Sequence, residues 1–185
     1  ENGAAKLGML PAVYQKGGQG LIIHWTVCKT LLGLALVAAT ERGICAVALG
    51  TDRSLLQAEL QNEFPKAQLN YVADSHQYIS AKVQHVARVL SGLPSIESIE
   101  LVGTVFQQKV WQALMKIPAG QTRSYAELAG QLAMPKAARA VARACASNKV
   151  AVLVPCHRII RRDGTMGGYR WGLPLKKKLL QLERA

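Results

Sequence analysis

The chain has 185 residues, 50% of them hydrophobic and 18% charged, a balance that supplies a core and argues against disorder. No stretch reaches the ~18 uncharged apolar residues of a membrane-spanning helix, and Glu1-Asn-Gly-Ala-Ala-Lys6 lacks the basic-then-apolar order of a signal peptide. The net charge of +12 falls entirely after residue 102: residues 1–102 hold 8 Lys and Arg against 8 Asp and Glu, and residues 103–185 hold 15 against 3. A basic field of that size attracts polyanions, nucleic acid foremost, with a solubility device or an anionic membrane surface as the alternatives. The four cysteines, at 28, 45, 145 and 156, suit neither a disulfide framework nor a zinc ribbon, so a reducing cytoplasm is the expected compartment.

Residues 1–20 read as a leader with little to pack. Three short apolar runs follow, at 21–27, 34–39 and 43–50, with Gly33 and Glu41-Arg-Gly43 as turns. They predict an antiparallel three-stranded meander. The period then turns helical, with Leu55, Leu56 and Leu60 on one stripe ended by Pro65. Ile79, Val83, Val86, Ala87 and Leu90 form a second stripe, stopped by Ser91-Gly-Leu-Pro94. Residues 21–92 are thus expected to form a small α/β unit, with 93–103 as an extended connector. His24 and Cys28, four apart, are conceivable metal ligands, but scattered strand residues are the plainer reading.

Residues 104–185 are expected to be mostly helical. Thr104 can cap a helix whose stripe is Phe106, Val110, Trp111 and Leu114. Ser124-Tyr-Ala-Glu127 is a capping box opening a short helix to about Leu132. Pro135 then introduces a small-residue helix over 136–146. Short helix, tight turn, second helix is the helix-turn-helix pattern. Ala138 and its neighbouring alanines allow close approach, and Arg139 and Arg143 share a face. An Ala-rich packing helix with two solvated arginines is the alternative. In the last helix, Lys176-Lys-Lys178 either touches phosphate or forms a solvated face opposite Leu175, Leu179 and Leu182.

Ala151-Val-Leu-Val-Pro-Cys-His-Arg-Ile-Ile160 carries the densest signal. Pro155 fixes the backbone before Cys156, and His157 and Arg158 follow. A cysteine beside a potential base and a cation is a candidate nucleophile; a buried structural cysteine is the alternative. Cys145, among small apolar neighbours, reads as a packing residue.

Leu-Val-Pro155-Cys156-His157-Arg158-Ile-Ile resembles the active-site signature of the O6-alkylguanine-DNA alkyltransferases. Gly103-Thr-x-Phe-Gln-x-x-Val-Trp-x-Ala-Leu114, Ser124-Tyr125, Arg139-Ala-Val141, Asn148, Gly168-Tyr169-Arg-Trp-Gly172 and Glu183 agree in order and spacing. The match covers about residues 103–183, and the N-terminal unit agrees only loosely. In front of it, Leu7-Gly-Met-Leu-Pro-Ala-Val-Tyr14 resembles the closing segment of an AraC-type DNA-binding domain, which would make the chain the tail of a longer protein.

The resemblance implies an α+β fold, with a ribonuclease H-like N-terminal unit and a helix-turn-helix domain at 104–185. It implies direct-reversal repair: irreversible, stoichiometric transfer of an alkyl group from O6 of guanine, and O4 of thymine, to Cys156. His157 would reach Cys156 through a water and be oriented by Glu183. Asn148 would hold the active-site turn. Tyr125 would bond the flipped guanine, and Arg139 would fill its vacancy. Ala138 and Arg143 would lie along the minor groove. Tyr169, Val154, Arg170 and Trp171 would wall the pocket. No metal and no organic cofactor is implied. The partner would be double-stranded DNA containing O6-alkylguanine, met by a monomer in the bacterial cytosol near the nucleoid, with no membrane. Lys149 replaces a proline common after the Asn, and the bulk of Arg170-Trp171 predicts a preference for methyl over benzyl adducts. Thr40 and Cys45 stand where zinc ligands fall in vertebrate members. A non-transferring lesion binder, a transcription regulator and a Cys-His hydrolase are the competing readings.

Overall fold

The structure is a computed structural model describing residues 17–93 and 99–184. Most of the leader and the middle of the connector lie outside the described residues. The chain divides between Gly103 and Thr104 into two compact units, and the fold is α+β.

Among its described residues, the first unit holds a sheet of four strands, not three. Strands β1 (Ile22–Thr30), β2 (Gly33–Thr40) and β3 (Gly43–Gly50) form the expected antiparallel meander. Strand β4 (Gln68–Tyr71) adds to the free edge of β1 in parallel, giving the order β3-β2-β1-β4. A four-residue Gln-Leu-Asn-Tyr run is too short and polar to show a strand pattern; it forms because β1 offers it a ladder of backbone partners. Helix α1 (Arg53–Glu63) starts where the Asp52 carboxylate accepts from Leu55 N at 2.9 Å, a cap typically worth about 1 kcal/mol.

Two stripes differ from expectation. Helix α1 buries Leu56 and Leu60, but Leu55 is 72% exposed. Helix α2 (Gln77–Leu90) buries Ile79, His85, Val86 and Leu90 and leaves Ala87 in solvent. Small rotations of each helix on the sheet decide which neighbours face in. His24 packs its ring against Tyr78 at 4.8 Å, and the Cys28 thiol donates to Ala35 O at 3.6 Å. Among the described residues, no group of three or more His, Cys, Asp or Glu is arranged to hold a metal ion. Thr40 donates to the buried Glu100 carboxylate, which Arg42 faces at 3.9 Å.

The second unit carries four helices: α3 (Val105–Met115), α4 (Tyr125–Gln131), α5 (Ala138–Ala146) and α6 (Leu173–Leu182). Reciprocal capping boxes open α3, through Thr104 and Gln107, and α4, through Ser124 and Glu127. Between α4 and α5 the chain turns through Ala133 (φ 57°) and a 3-10 turn, Pro135–Ala137. Helix α5 therefore starts two residues later than expected. It buries Val141, Ala144 and Cys145. Trp111 Nε1 donates to Ala144 O at 2.8 Å and Gln107 Nε2 to Ser147 Oγ at 2.8 Å, fixing the end of α5 on α3. Short strands β5 (Arg123–Ser124) and β6 (Ile159–Ile160) pair in parallel. They tie the start of α4 to the segment after Cys156.

Helix α6 departs furthest from its sequence pattern. Its buried face is Lys176, Leu179 and Leu180, while Leu182 is 41% exposed. Lys176 is fully enclosed. Its ammonium donates to Ile159 O at 2.5 Å and to the carbonyls of Met166 and Gly168. A buried ammonium is tolerable only when such acceptors surround it.

Candidate active site

The turn between α5 and Cys156 is built around Asn148. Its Oδ1 accepts from Val150 N at 2.9 Å. Its Nδ2 donates to Val154 O at 2.9 Å and lies 3.1 Å from the Cys156 sulfur. One amide therefore pins both ends of the turn and the thiol. Val152, within it, has φ 59°, a left-handed conformation that costs a β-branched residue on the order of 1–3 kcal/mol and persists only when its surroundings enforce it. The Asn148 bonds and the burial of Val150, Ala151, Val152, Leu153 and Val154 do so here.

Cys156 opens a 3-10 turn, Cys156–Arg158, and is only 5% exposed. Burial pushes its thiol up to about 11, against the opposing effects of the Asn148 hydrogen bond and the Lys176 and Arg170 charges. His157 is 1% exposed, and its Nε2 lies 2.7 Å from Glu183 Oε1. Burial lowers its pKa, outweighing the carboxylate that favours protonation. The Nδ1 atom has no hydrogen-bond partner among the described residues. Glu183 also receives Arg158, by Nε at 3.1 and 3.0 Å and by Nη2 at 2.8 Å, and Gly120 N at 3.2 Å. Burial raises the Glu183 pKa, but the bonds and charges of His157 and Arg158 overcome it and hold it at about 2.

Tyr169 stands edge-on to the His157 ring at 6.4 Å and to Trp171 at 5.3 Å. Its hydroxyl is enclosed without a hydrogen-bond partner among the described residues, and burial raises its pKa well above 10. Arg170 reaches back to Asn148 O at 3.5 Å, with its guanidinium 5.8 Å from the Trp171 ring. Val154 is buried in the turn. Tyr125, the first residue of α4, is half-buried; burial raises its pKa, followed by the charges of Cys145 and Cys156. Arg139 and Arg143 project into solvent from α5, and Ala138 begins that helix.

Residues 105–185 match the family model described as 6-O-methylguanine DNA methyltransferase, DNA binding domain. The chain is 46% identical over 182 residues to the bifunctional transcriptional activator/DNA repair enzyme Ada of Escherichia coli (strain K12), covering 96% of this chain and 50% of that protein. The crystal structure of Mycobacterium tuberculosis O6-methylguanine methyltransferase superposes with a TM-score of 0.71 at 31% identity, covering 88% of this chain and 93% of that one. The chain belongs to the O6-methylguanine methyltransferase family. A second Mycobacterium tuberculosis structure, described as a complex with DNA, aligns with a TM-score of 0.70 at 33% identity, covering 87% of this chain and 92% of that one. The chain spans about half the length of the curated relatives it matches over nearly its whole length.

In this methyltransferase-family chain, Cys156, His157, Asn148 and Glu183 come together, with Tyr169, Trp171 and Arg170 around them. Sequence reasoning missed two participants. In the sequence Arg158 is only a cation beside the cysteine; in the fold it shares Glu183 with His157 and grips both carboxylate oxygens. The sequence places Lys176 against phosphate or in solvent; the fold buries its ammonium against loop carbonyls. An isolated lysine in an otherwise apolar helical face was the available signal, and it was obscured by two more lysines.

Proposed function

We propose that this chain repairs DNA by direct reversal, moving a methyl group from O6 of guanine, and from O4 of thymine, in double-stranded DNA onto Cys156. The observation that carries this reading is the joint placement of Cys156 on Asn148 and of His157 on Glu183. With a thiol pKa of about 11, only about one part in ten thousand is thiolate at pH 7. The reaction therefore needs a base, and the buried, neutral His157 supplies one. Cys156 gives its proton, by way of a bridging water, to His157 Nδ1, and Glu183 stabilises the imidazolium. The sulfur attacks the methyl carbon in line. The carbon–oxygen bond breaks, its electron pair goes to the guanine oxygen, and the base takes up a proton as it leaves. The thioether product resists hydrolysis, so each molecule acts once.

The target atom lies inside the duplex, so the nucleotide must be flipped, at a cost of a few kcal/mol. Helices α4 and α5 act as a helix-turn-helix in the minor groove. Arg139 fills the vacated stack, Tyr125 contacts the flipped base and its phosphate, and Ala138 and Arg143 lie along the groove. The DNA named in the mycobacterial complex and the charge of the second unit support this reading. Residues 104–185 form the DNA-binding and transfer domain; residues 21–92 form a supporting, ribonuclease H-like unit joined by 93–103. The leader pattern supports an AraC-type tail over 1–20. The protein works as a monomer in the bacterial cytosol and needs neither metal nor organic cofactor.

Intact mass after incubation with a duplex bearing one O6-methylguanine, followed by peptide mapping, tests this. One methyl on Cys156 in one-to-one stoichiometry is expected. No mass shift with retained binding would indicate a non-transferring lesion binder, and multiple turnovers a hydrolase.

A further inference from the structure

The second unit holds fifteen Lys and Arg against three Asp and Glu. Helix α5 and the turn before it account for only Lys136, Arg139 and Arg143. Lys149 and Lys176 are buried, and Arg158 is bound to Glu183. Five of the remaining cations gather elsewhere, in two adjoining clefts. The first, of about 440 Å³, lies between α3 and α4 and is lined by Lys109, Lys116 and Arg123 with Gln112 and Gln131. The second, of about 650 Å³, is lined by Arg123, Arg161 and Arg162 beside Thr122 and Ser124.

Arg123 belongs to both. Its Nη1 donates to Thr122 O at 2.9 Å and its Nη2 to Gln121 Oε1 at 3.2 Å, so the guanidinium is held at the shared rim. Among the described residues, the single carboxylate lining either cleft is Glu127, one of whose oxygens is engaged by Ser124 N at 2.6 Å; Asp163, between Arg162 and Gly164, is held by Thr165. Lys109, on α3, and Lys116, the residue that caps its C-terminus, are both exposed and seven residues apart, about two helical turns. Pro135, which begins the turn into α5, forms an edge of the second cleft.

We propose that this double cleft is a phosphodiester-binding track separate from α5, which engages the nucleic-acid backbone beyond the segment that α5 contacts. An isolated phosphate would use one pair of cations. Five cations strung over two open clefts, almost without acids, suit a polymer of anions. The edge at Pro135 makes the track continuous with the surface leading to α5. This inference rests on the DNA-repair reading.

The test is the salt dependence of affinity for an undamaged duplex, measured with the full chain. Lys109→Gln/Lys116→Gln and Arg161→Gln/Arg162→Gln should each lower the magnitude of the slope of log K against log salt by about 2, or about 0.9 per phosphate contact. Between 50 and 200 mM salt, each pair should then lose about tenfold less affinity than the unaltered chain. Lys29→Gln/Lys66→Gln, an equal charge loss in the first unit, should leave the slope in place. Lys109→Arg/Lys116→Arg should restore it, which separates contact from misfolding. An unchanged slope in both cleft variants, or an equal drop in the first-unit control, overturns the track. Failure of the unaltered chain to bind duplex at all overturns the DNA reading and the track with it.

Discussion

Arg158 holds both carboxylate oxygens of Glu183, with its Nε 3.1 Å from Oε1 and 3.0 Å from Oε2. It also donates through Nη1 to Ile117 O. Arg158 thus joins the Cys156 turn to the loop after α3 and to the end of α6. Arg158→Leu would strand a partly buried carboxylate and a carbonyl, and should cost about 3 kcal/mol in denaturant unfolding. Arg158→Lys should recover only part of this, because a point charge cannot reproduce the planar fork.

The pH dependence has a definite sign. Glu183 titrates at about 2 in the folded chain against an ordinary 4.5. Its contribution is fully present above pH 4.5 and is lost as pH falls toward 2. His157 is also depressed, by burial, so its contribution likewise falls on acidification, starting below about pH 6.5. Unfolding free energy should decline below pH 6.5 and most steeply below 4.5. Glu183→Gln should flatten the lower limb.

Asn148 donates to the Cys156 sulfur and so favours the thiolate against burial. Asn148→Ala should raise the thiol pKa further and slow iodoacetamide labelling of Cys156 at pH 8, read by peptide mapping. Labelling of the unaltered chain should keep rising with pH toward 11.

Gly120 has φ 76°, and a Cβ there would sit 3.0 Å from Glu183 O. Gly120→Ala should therefore lower stability by about 1–2 kcal/mol through backbone strain and crowding. Thermal unfolding measures it.

Trp171 packs on Tyr169, with Arg170 beside its ring. This bulk should favour methyl over benzyl adducts. Trp171→Gly should increase consumption of Cys156 by O6-benzylguanine more than by O6-methylguanine, compared by mass. Equal consumption of both by the unaltered chain would refute the size argument.

Much of the site was legible because its signals are local. The Pro-Cys-His-Arg run, the Ser124–Glu127 capping box and Asn148 upstream of the cysteine are patterns of neighbouring residues. The meander was legible for the same reason, since alternation and turn glycines act over a few residues. Strand β4 was not, because its ladder partner lies more than forty residues away in β1. Nor were the Leu55 and Ala87 exposures, because a stripe gives a helix its apolar side but not its final rotation on the sheet.

The sequence by itself determined which residues are candidates for chemistry, which half carries the charge, and where α3 and α4 begin. Only the tertiary structure decided that Arg158 serves Glu183, twenty-five residues further on, and that Lys176 turns inward to three carbonyls. Both follow from one requirement. A charge taken out of water must meet opposite charge or oriented dipoles, and where those partners stand is known only once the chain has folded back on itself.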